Sequence, residues 1–102
     1  MNFKNITTNE LKKILNNKGK EEILLLDIRT KEEYDECKID GAINIPLQDL
    51  LYEVDDLSDY KNKKIIVYCR SGHRSITACN LLSISGFDNL YNLEKGILDY
   101  RL

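Results

Sequence analysis

Two short hydrophobic segments most strongly limit the folds open to this chain of 102 residues. Ile23–Leu26 and Ile65–Tyr68 are hydrophobic throughout and only four residues long, so each predicts a buried strand rather than a helix. Each segment is followed directly by a polar residue, Asp27 or Cys69. Continuous hydrophobic strands are typical of parallel sheets that are covered on both faces.

Segments with helix signals alternate with these strands. Thr7-x-x-Glu10 and Thr30-x-x-Glu33 are capping boxes and predict one helix that ends near Gly19 and a shorter one toward Cys37. A third helix is predicted from Ser75 to Ser85, with Gly86 at its end. Its expected core residues are Ile76, Leu81, Leu82 and Ile84.

The remaining segments complete the same alternation. Gly41–Pro46 predicts a turn with a brief extended piece, and Leu47 to Val54 shows helical spacing. Leu90–Leu93 predicts a last short strand, and Gly96–Leu102 a turn or helix. We therefore expect residues 1–102 to form a single α/β domain with a parallel sheet.

Charge and hydropathy argue against several classes of function. The chain has 17 acidic and 15 basic side chains, a formal net charge of −2, and no long basic run, so we expect no nucleic-acid partner. Apolar runs such as Ile23–Leu26 are far shorter than the roughly 18 residues of a membrane helix. The N-terminal residues lack the apolar core of a secretory signal, which favours a cytoplasmic protein.

The cysteines are expected to be free thiols. Cys37, Cys69 and Cys79 are odd in number and lack C-x-x-C spacing, unlike a disulfide framework or a zinc site. The chain has one histidine, so we expect no metal centre. We expect Cys79 to be a core residue and Cys37 to be inert, although the sequence leaves open whether Cys37 takes part in turnover.

Cys69 opens a polar loop, Cys69–Ser75, between a strand and a helix. The carboxyl ends of parallel strands share one sheet edge, so Cys69 and Asp27 are expected to lie near each other where such folds bind ligands. Backbone N–H groups of the loop, the start of the helix, and the cations Arg70 and Arg74 should stabilise a thiolate. The pKa of Cys69 should therefore fall below about 8.5, and Gly72 would permit the tight curve.

This loop resembles the active-site loop of the rhodanese family, and three further segments, in family order, support the resemblance. They are Asp27-Ile28-Arg29, the stretch from Glu33-Tyr34 to Gly41-Ala42-x-Asn44-Ile45-Pro46, and Leu93–Leu98. The chain departs from the family at Cys37-Lys38, where Gly-His is usual, and at Tyr100, where tryptophan is common. The resemblance implies an α/β domain with a central five-stranded parallel sheet flanked by helices on both faces, and no metal or organic cofactor.

The resemblance also implies an activity and site residues. Members of the family pass sulfane sulfur from thiosulfate or a similar donor to a thiol, a protein or cyanide, so Cys69 would carry the sulfur as a persulfide. The residues expected to bind substrate are Arg70, Ser71, Gly72, His73, Arg74 and Ser75. Asp27, Arg29 and Glu33 would support the site through charge pairing, and His73 would shape the loop or its entrance.

Two other functions remain open at this point. Some relatives of this fold are phosphatases or arsenate reductases, in which five residues separate cysteine from arginine. Here four residues separate Cys69 from Arg74, and the shorter loop suits one sulfur atom better than a tetrahedral oxyanion. Other relatives are non-catalytic interaction modules, which typically lack the cysteine.

Overall fold

The computed structural model of the chain describes residues 2–17 and 22–102, in which strands and helices alternate. The strands are β1 (Lys4–Ile6), β2 (Ile23–Asp27), β3 (Ile43–Asn44), β4 (Lys64–Tyr68) and β5 (Leu90–Leu93). The helices are α1 (Thr8–Asn16), α2 (Lys31–Glu36), α3 (Leu50–Glu53), α4 (Arg74–Ile84) and α5 (Gly96–Tyr100). Short 3-10 segments, Leu47–Asp49 and Val54–Tyr60, flank α3.

The strands form one parallel sheet in the order β1-β5-β4-β2-β3, which confirms the five-stranded parallel α/β architecture. The hydrophobic strands β2 and β4 pair along five residues, and Asp27 lies opposite Tyr68 in the register. The carboxyl end of β2 therefore lies beside the point where the chain continues into Cys69.

Helices cover both faces of the sheet, as expected. Successive side chains of a strand point to opposite faces, so Ile66 and Tyr68 pack with α1 and α5, whereas Ile65 and Val67 pack with α3 and α4. The Cys69 side chain belongs to the α4 side. No helix in the described residues is long and apolar enough to cross a membrane.

The capping boxes at Thr7 and Thr30 are present as predicted. Gly19, the predicted end of the first helix, lies outside the described residues. The strand β1 was not predicted, because only Ile6 of its three residues is buried.

For two of the four residues of α4 that were expected in the core, the prediction is wrong. Leu82 is buried and Leu81 packs against the core, but Ile76 and Ile84 are 37% and 83% exposed. The helix instead buries Ser75, Ala78, Cys79 and Leu82. Ala78, Cys79 and Leu82 lie three, four and seven residues after Ser75, which is the spacing of one helix face.

Candidate active site

Cys69 lies at the base of the loop between β4 and α4. Its Sγ accepts a hydrogen bond from the Gly72 N–H at 3.1 Å. Gly72 has φ +98°, and a Cβ at this position would lie 1.9 Å from the Glu94 carbonyl oxygen. Glycine is therefore required both for the backbone conformation and for the close approach of the loop to the segment after β5.

Opposing effects set the pKa of the Cys69 thiol. Burial raises it, but hydrogen bonds from the Ser75 hydroxyl and from the backbone N–H groups of Ser75, Gly72 and Ser71 lower the pKa below its ordinary value. These donors favour the thiolate because they stabilise the charged sulfur more strongly than the neutral thiol. Arg70 and Arg74 were also expected to stabilise the thiolate, and Arg74 interacts with the sulfur through its charge.

The terminal helix α5 holds the loop from outside. The Ile97 N–H donates to the Cys69 carbonyl at 3.0 Å, and the Leu98 N–H donates to the Arg70 carbonyl at 3.1 Å. In a trans peptide the N–H points away from the C=O, so holding the Arg70 carbonyl outward turns the next N–H, that of Ser71, toward the sulfur. This contribution of the C-terminal segment was not predicted from the sequence.

The absence of a side chain at Gly96 allows the start of α5 to approach the Arg70 carbonyl. A Cβ at Gly96 would lie 2.2 Å from the Arg70 carbonyl oxygen. The backbone of Gly96 therefore packs directly against the loop, in the part of the chain that resembles the family's C-terminal segment. An isolated glycine that follows a strand was the available signal for a close backbone approach.

Arg74 is paired with Glu33 rather than free. Its two terminal guanidinium nitrogens donate to the two carboxylate oxygens of Glu33, each at 3.0 Å. The hydrogen bonds from Arg74 lower the pKa of Glu33 to about 2 against the opposing effect of burial. Glu33 also closes the α2 capping box with Thr30, so this pair ties the start of α4 to the start of α2.

The other loop side chains differ in exposure. Arg70, Ser71 and His73 are exposed, whereas Gly72 is buried. The His73 Nδ1 lies 3.1 Å from the Ser71 hydroxyl. Among the described residues Arg70 forms no ion pair, so its guanidinium is the cation of the loop that is available to a ligand.

Asp27 and Arg29 form a buried pair beside the loop. The Arg29 guanidinium donates to Asp27 at 2.6 Å and to the Cys37 carbonyl at 2.6 Å. Burial lowers the pKa of Arg29, but the contacts with Asp27 outweigh it and keep the guanidinium charged. This pair connects the end of β2 to the segment after α2, and its hydrogen bonds do not include the Cys69 sulfur.

Ser75 and Asn92 form a second buried polar group at the base of the loop. The Ser75 Oγ lies 3.4 Å from the Cys69 Sγ, and the Ser75 hydroxyl donates to the Asn92 Oδ1. The Asn92 side-chain amide donates to the Gly72 carbonyl at 3.3 Å. An asparagine in the otherwise hydrophobic β5 was the sequence signal for this role, which was not predicted.

The other two thiols differ from Cys69. Cys79 is fully buried in α4, and burial raises the pKa of its thiol to about 12. Cys37 is half-buried at the end of α2. Within residues 2–17 and 22–102 no three His, Cys, Asp or Glu side chains converge into a group that could hold a metal ion.

A cavity of about 300 Å³ lies next to the Arg74–Glu33 pair. It is lined by Ile28, Thr30, Pro46, Leu47, Gln48 and Arg74. Three of the lining residues are apolar, two are uncharged and polar, and Arg74 carries a positive charge.

The chain is similar to known proteins in both sequence and structure. A family model described as a rhodanese-like domain matches residues 7–102. The crystal structure of a rhodanese-like domain protein from Staphylococcus aureus is 30% identical, covers 96% of this chain and 91% of its own, and superposes with a TM-score of 0.81. A sulfurtransferase from Allochromatium vinosum is 35% identical over 76% of this chain and 71% of its own length.

Other relatives are longer. A tRNA uridine(34) hydroxylase from Buchnera aphidicola is 34% identical over 93% of this chain, and the match spans 31% of the hydroxylase. At the level of the family, these matches support sulfur transfer as the general activity, and they specify neither donor nor acceptor.

Proposed function

The chain belongs to the rhodanese-like domain family, and on that premise we propose that it is a sulfurtransferase in which Cys69 carries sulfane sulfur as a persulfide. The observation that carries the proposal is the Cys69 sulfur at the base of a loop whose backbone N–H groups and Ser75 lower the pKa of its thiol. A thiolate held by oriented donors is the species that attacks a sulfane donor.

The reaction has two balanced half-reactions. The Cys69 thiolate attacks the outer sulfur of thiosulfate, a sulfur–sulfur bond forms, and the bond to the sulfonate sulfur breaks with release of sulfite. Cys69 then carries a persulfide anion. In the second half-reaction a thiolate or cyanide attacks the outer sulfur, and Cys69 leaves as a thiolate.

The loop residues have distinct roles in this scheme. The backbone N–H groups of Ser71 and Gly72 stabilise the anionic sulfur. Arg70, which is exposed and without an ion-pair partner among the described residues, attracts the sulfonate of the donor. Arg74 contributes its charge while Glu33 fixes its position.

Mass spectrometry after incubation with thiosulfate tests the proposal directly. We expect one added sulfur atom on Cys69 and none on Cys37 or Cys79. Cys69→Ser should lose both the added mass and thiosulfate:cyanide turnover, whereas the matched control Cys37→Ser should keep both. Persulfide formation in Cys69→Ser, or its absence in the native protein, would refute the proposal.

The same samples distinguish the phosphatase alternative. The loop from Cys69 to Arg74 has six members, and we expect it to be too tight for a tetrahedral phosphate. The native protein should therefore leave an aryl phosphate uncleaved. Efficient hydrolysis that is lost in Cys69→Ser would favour the alternative.

A further inference from the structure

The hydroxyl of Ser75 lies between two groups that can both accept its hydrogen. Its oxygen is 3.4 Å from the Cys69 Sγ, and it donates to the Asn92 Oδ1. Cys69, Ser75 and Asn92 are at most 1% exposed. A serine hydroxyl has one hydrogen, so it can satisfy the sulfur or the amide oxygen, but not both.

The orientation of the Asn92 amide is fixed by its other partners. Its nitrogen donates to the Gly72 carbonyl at 3.3 Å and to the Asn5 Oδ1 at 3.0 Å. A backbone carbonyl can only accept hydrogen bonds, so the amide nitrogen must face Gly72 and the amide oxygen must face Ser75.

The two charge states of Cys69 make different demands on Ser75. A neutral thiol can donate to the Ser75 oxygen while the hydroxyl donates to Asn92, so every buried polar group has a partner. A thiolate needs a donor, and if the Ser75 hydroxyl turns to the sulfur, the Asn92 oxygen loses its hydrogen bond. An unsatisfied buried acceptor is unfavourable.

We propose that Asn92 is a positioning residue that competes with the Cys69 sulfur for the single hydroxyl hydrogen of Ser75. Asn92 thereby favours the states in which the Cys69 Sγ is uncharged, and Ser75 favours the thiolate. The competition is independent of any sulfur donor, and its consequence for turnover rests on the proposed function.

That consequence concerns the persulfide. When thiosulfate has transferred its outer sulfur, the negative charge lies on the new terminal sulfur and the Cys69 Sγ is neutral. The Ser75 hydroxyl then returns to Asn92. When an acceptor attacks the terminal sulfur, the Cys69 Sγ leaves as a thiolate and the hydroxyl turns back to it. Asn92 therefore stabilises the loaded state relative to the free thiolate.

A double-mutant cycle tests the competition. The pKa of Cys69 is measured by ultraviolet titration of the thiolate in the native protein, Ser75→Ala, Asn92→Ala and the double variant. Each titration is corrected with the same protein carrying Cys69→Ser. The shift in the pKa of Cys69 that Asn92→Ala causes should be more negative when Ser75 is present than in the Ser75→Ala background. A hydrogen bond to a charged group is stronger than one to a neutral group. The factor by which Asn92→Ala increases the acid dissociation constant of Cys69 should therefore be about five- to tenfold larger with Ser75 present than without it.

The cycle separates this role from a merely structural one. If Asn92 acts only by holding the Gly72 carbonyl, its removal will raise the pKa equally with or without Ser75, and that result overturns the proposal. Asn92→Leu, which fills more of the vacated space, replaces Asn92→Ala if the latter does not fold. No sulfur donor is used, so failure of the native protein to form a persulfide would refute the proposed function and leave this result interpretable.

Discussion

Replacing Gly72 with alanine should destabilise the fold and disable the loop, and Gly41→Ala supplies a matched control. Both glycines have positive φ, +98° and +86°, but a Cβ at Gly41 meets nothing within 4 Å. At Gly72 the Cβ would lie 1.9 Å from the Glu94 carbonyl oxygen and 2.8 Å from its carbonyl carbon. Both contacted atoms belong to the backbone, so no side chain can simply rotate away.

The two variants should differ in free energy of unfolding. The unfavourable φ costs about 1–2 kcal/mol in each, and the loss of unfolded-chain entropy is similar in both and cancels in the comparison. Gly72→Ala also forces the loop and the Glu94 backbone apart, which adds about 1–3 kcal/mol, as overpacking does in protein cores. We therefore expect a loss of roughly 2–5 kcal/mol for Gly72→Ala, about twice that of Gly41→Ala.

Urea denaturation and thiosulfate:cyanide kinetics on the same preparations measure the two effects. Gly72→Ala should lose most of its turnover even where it remains folded, because displacement of the Gly72 N–H removes a donor 3.1 Å from the sulfur. Gly41→Ala should keep its kinetics. Equal stability losses in the two variants, or normal turnover in folded Gly72→Ala, would show that the contact with Glu94 does not fix the loop.

Two predictions concern Glu33 and the arginines. The lowered pKa of Glu33, about 2, corresponds to at most about 3 kcal/mol of stabilisation by the ionised carboxylate. Arg74 is the main cause of the lowered pKa, and hydrogen bonds from Thr30 add to it. Because Arg74 is 40% exposed, solvent screening reduces the expected stabilisation to about 1–2 kcal/mol. This stabilisation should be complete above the unfolded pKa of about 4.3 and vanish as the pH falls toward 2. Urea titrations should therefore give different free energies of unfolding for the native protein and Glu33→Gln at neutral pH, and equal ones in acid. The glutamine can still cap α2, so the capping box is retained in the variant. A difference that does not change with pH would contradict the assignment. Arg70→Ala should reduce kcat/KM for thiosulfate about ten- to hundredfold and leave the melting temperature unchanged. Arg74→Ala should lower both kcat/KM and the melting temperature. A lower melting temperature with unchanged kinetics in Arg74→Ala would remove Arg74 from the site.

The sequence was sufficient to predict features that depend on neighbours along the chain. The central strands and the capping boxes at Thr7 and Thr30 are local patterns, and the structure has them where they were predicted. The shared edge of Asp27 and Cys69 followed from the general geometry of parallel sheets. The strand β1 was missed because its hydrogen bonds to β5 connect residues far apart in sequence, and its own three residues carry little hydrophobic signal.

The missed parts of the candidate site have the same physical origin. The pairing of Arg74 with Glu33 joins residues 41 positions apart, and a charged residue next to a reactive loop is equally compatible with an ion pair or with a free cation. Sequence alone also cannot reveal that Gly96 lies against the Arg70 carbonyl. Asn92 was detectable, since a polar residue in a buried strand requires partners, and the isolated Gly96 indicated a close backbone approach without indicating its partner.

The site is best understood as a loop whose peptide groups are oriented from two sides. On the inner side, N–H groups of Ser71 and Gly72 face the sulfur. On the outer side, α5 binds the carbonyls of Cys69 and Arg70. Because a peptide N–H and C=O point in opposite directions, the hydrogen bond to the Arg70 carbonyl helps to aim the Ser71 N–H at the sulfur. The short helix α5 therefore influences the reactive sulfur through the backbone of the loop. The segments around Gly96 and Cys69 thus form one structural unit.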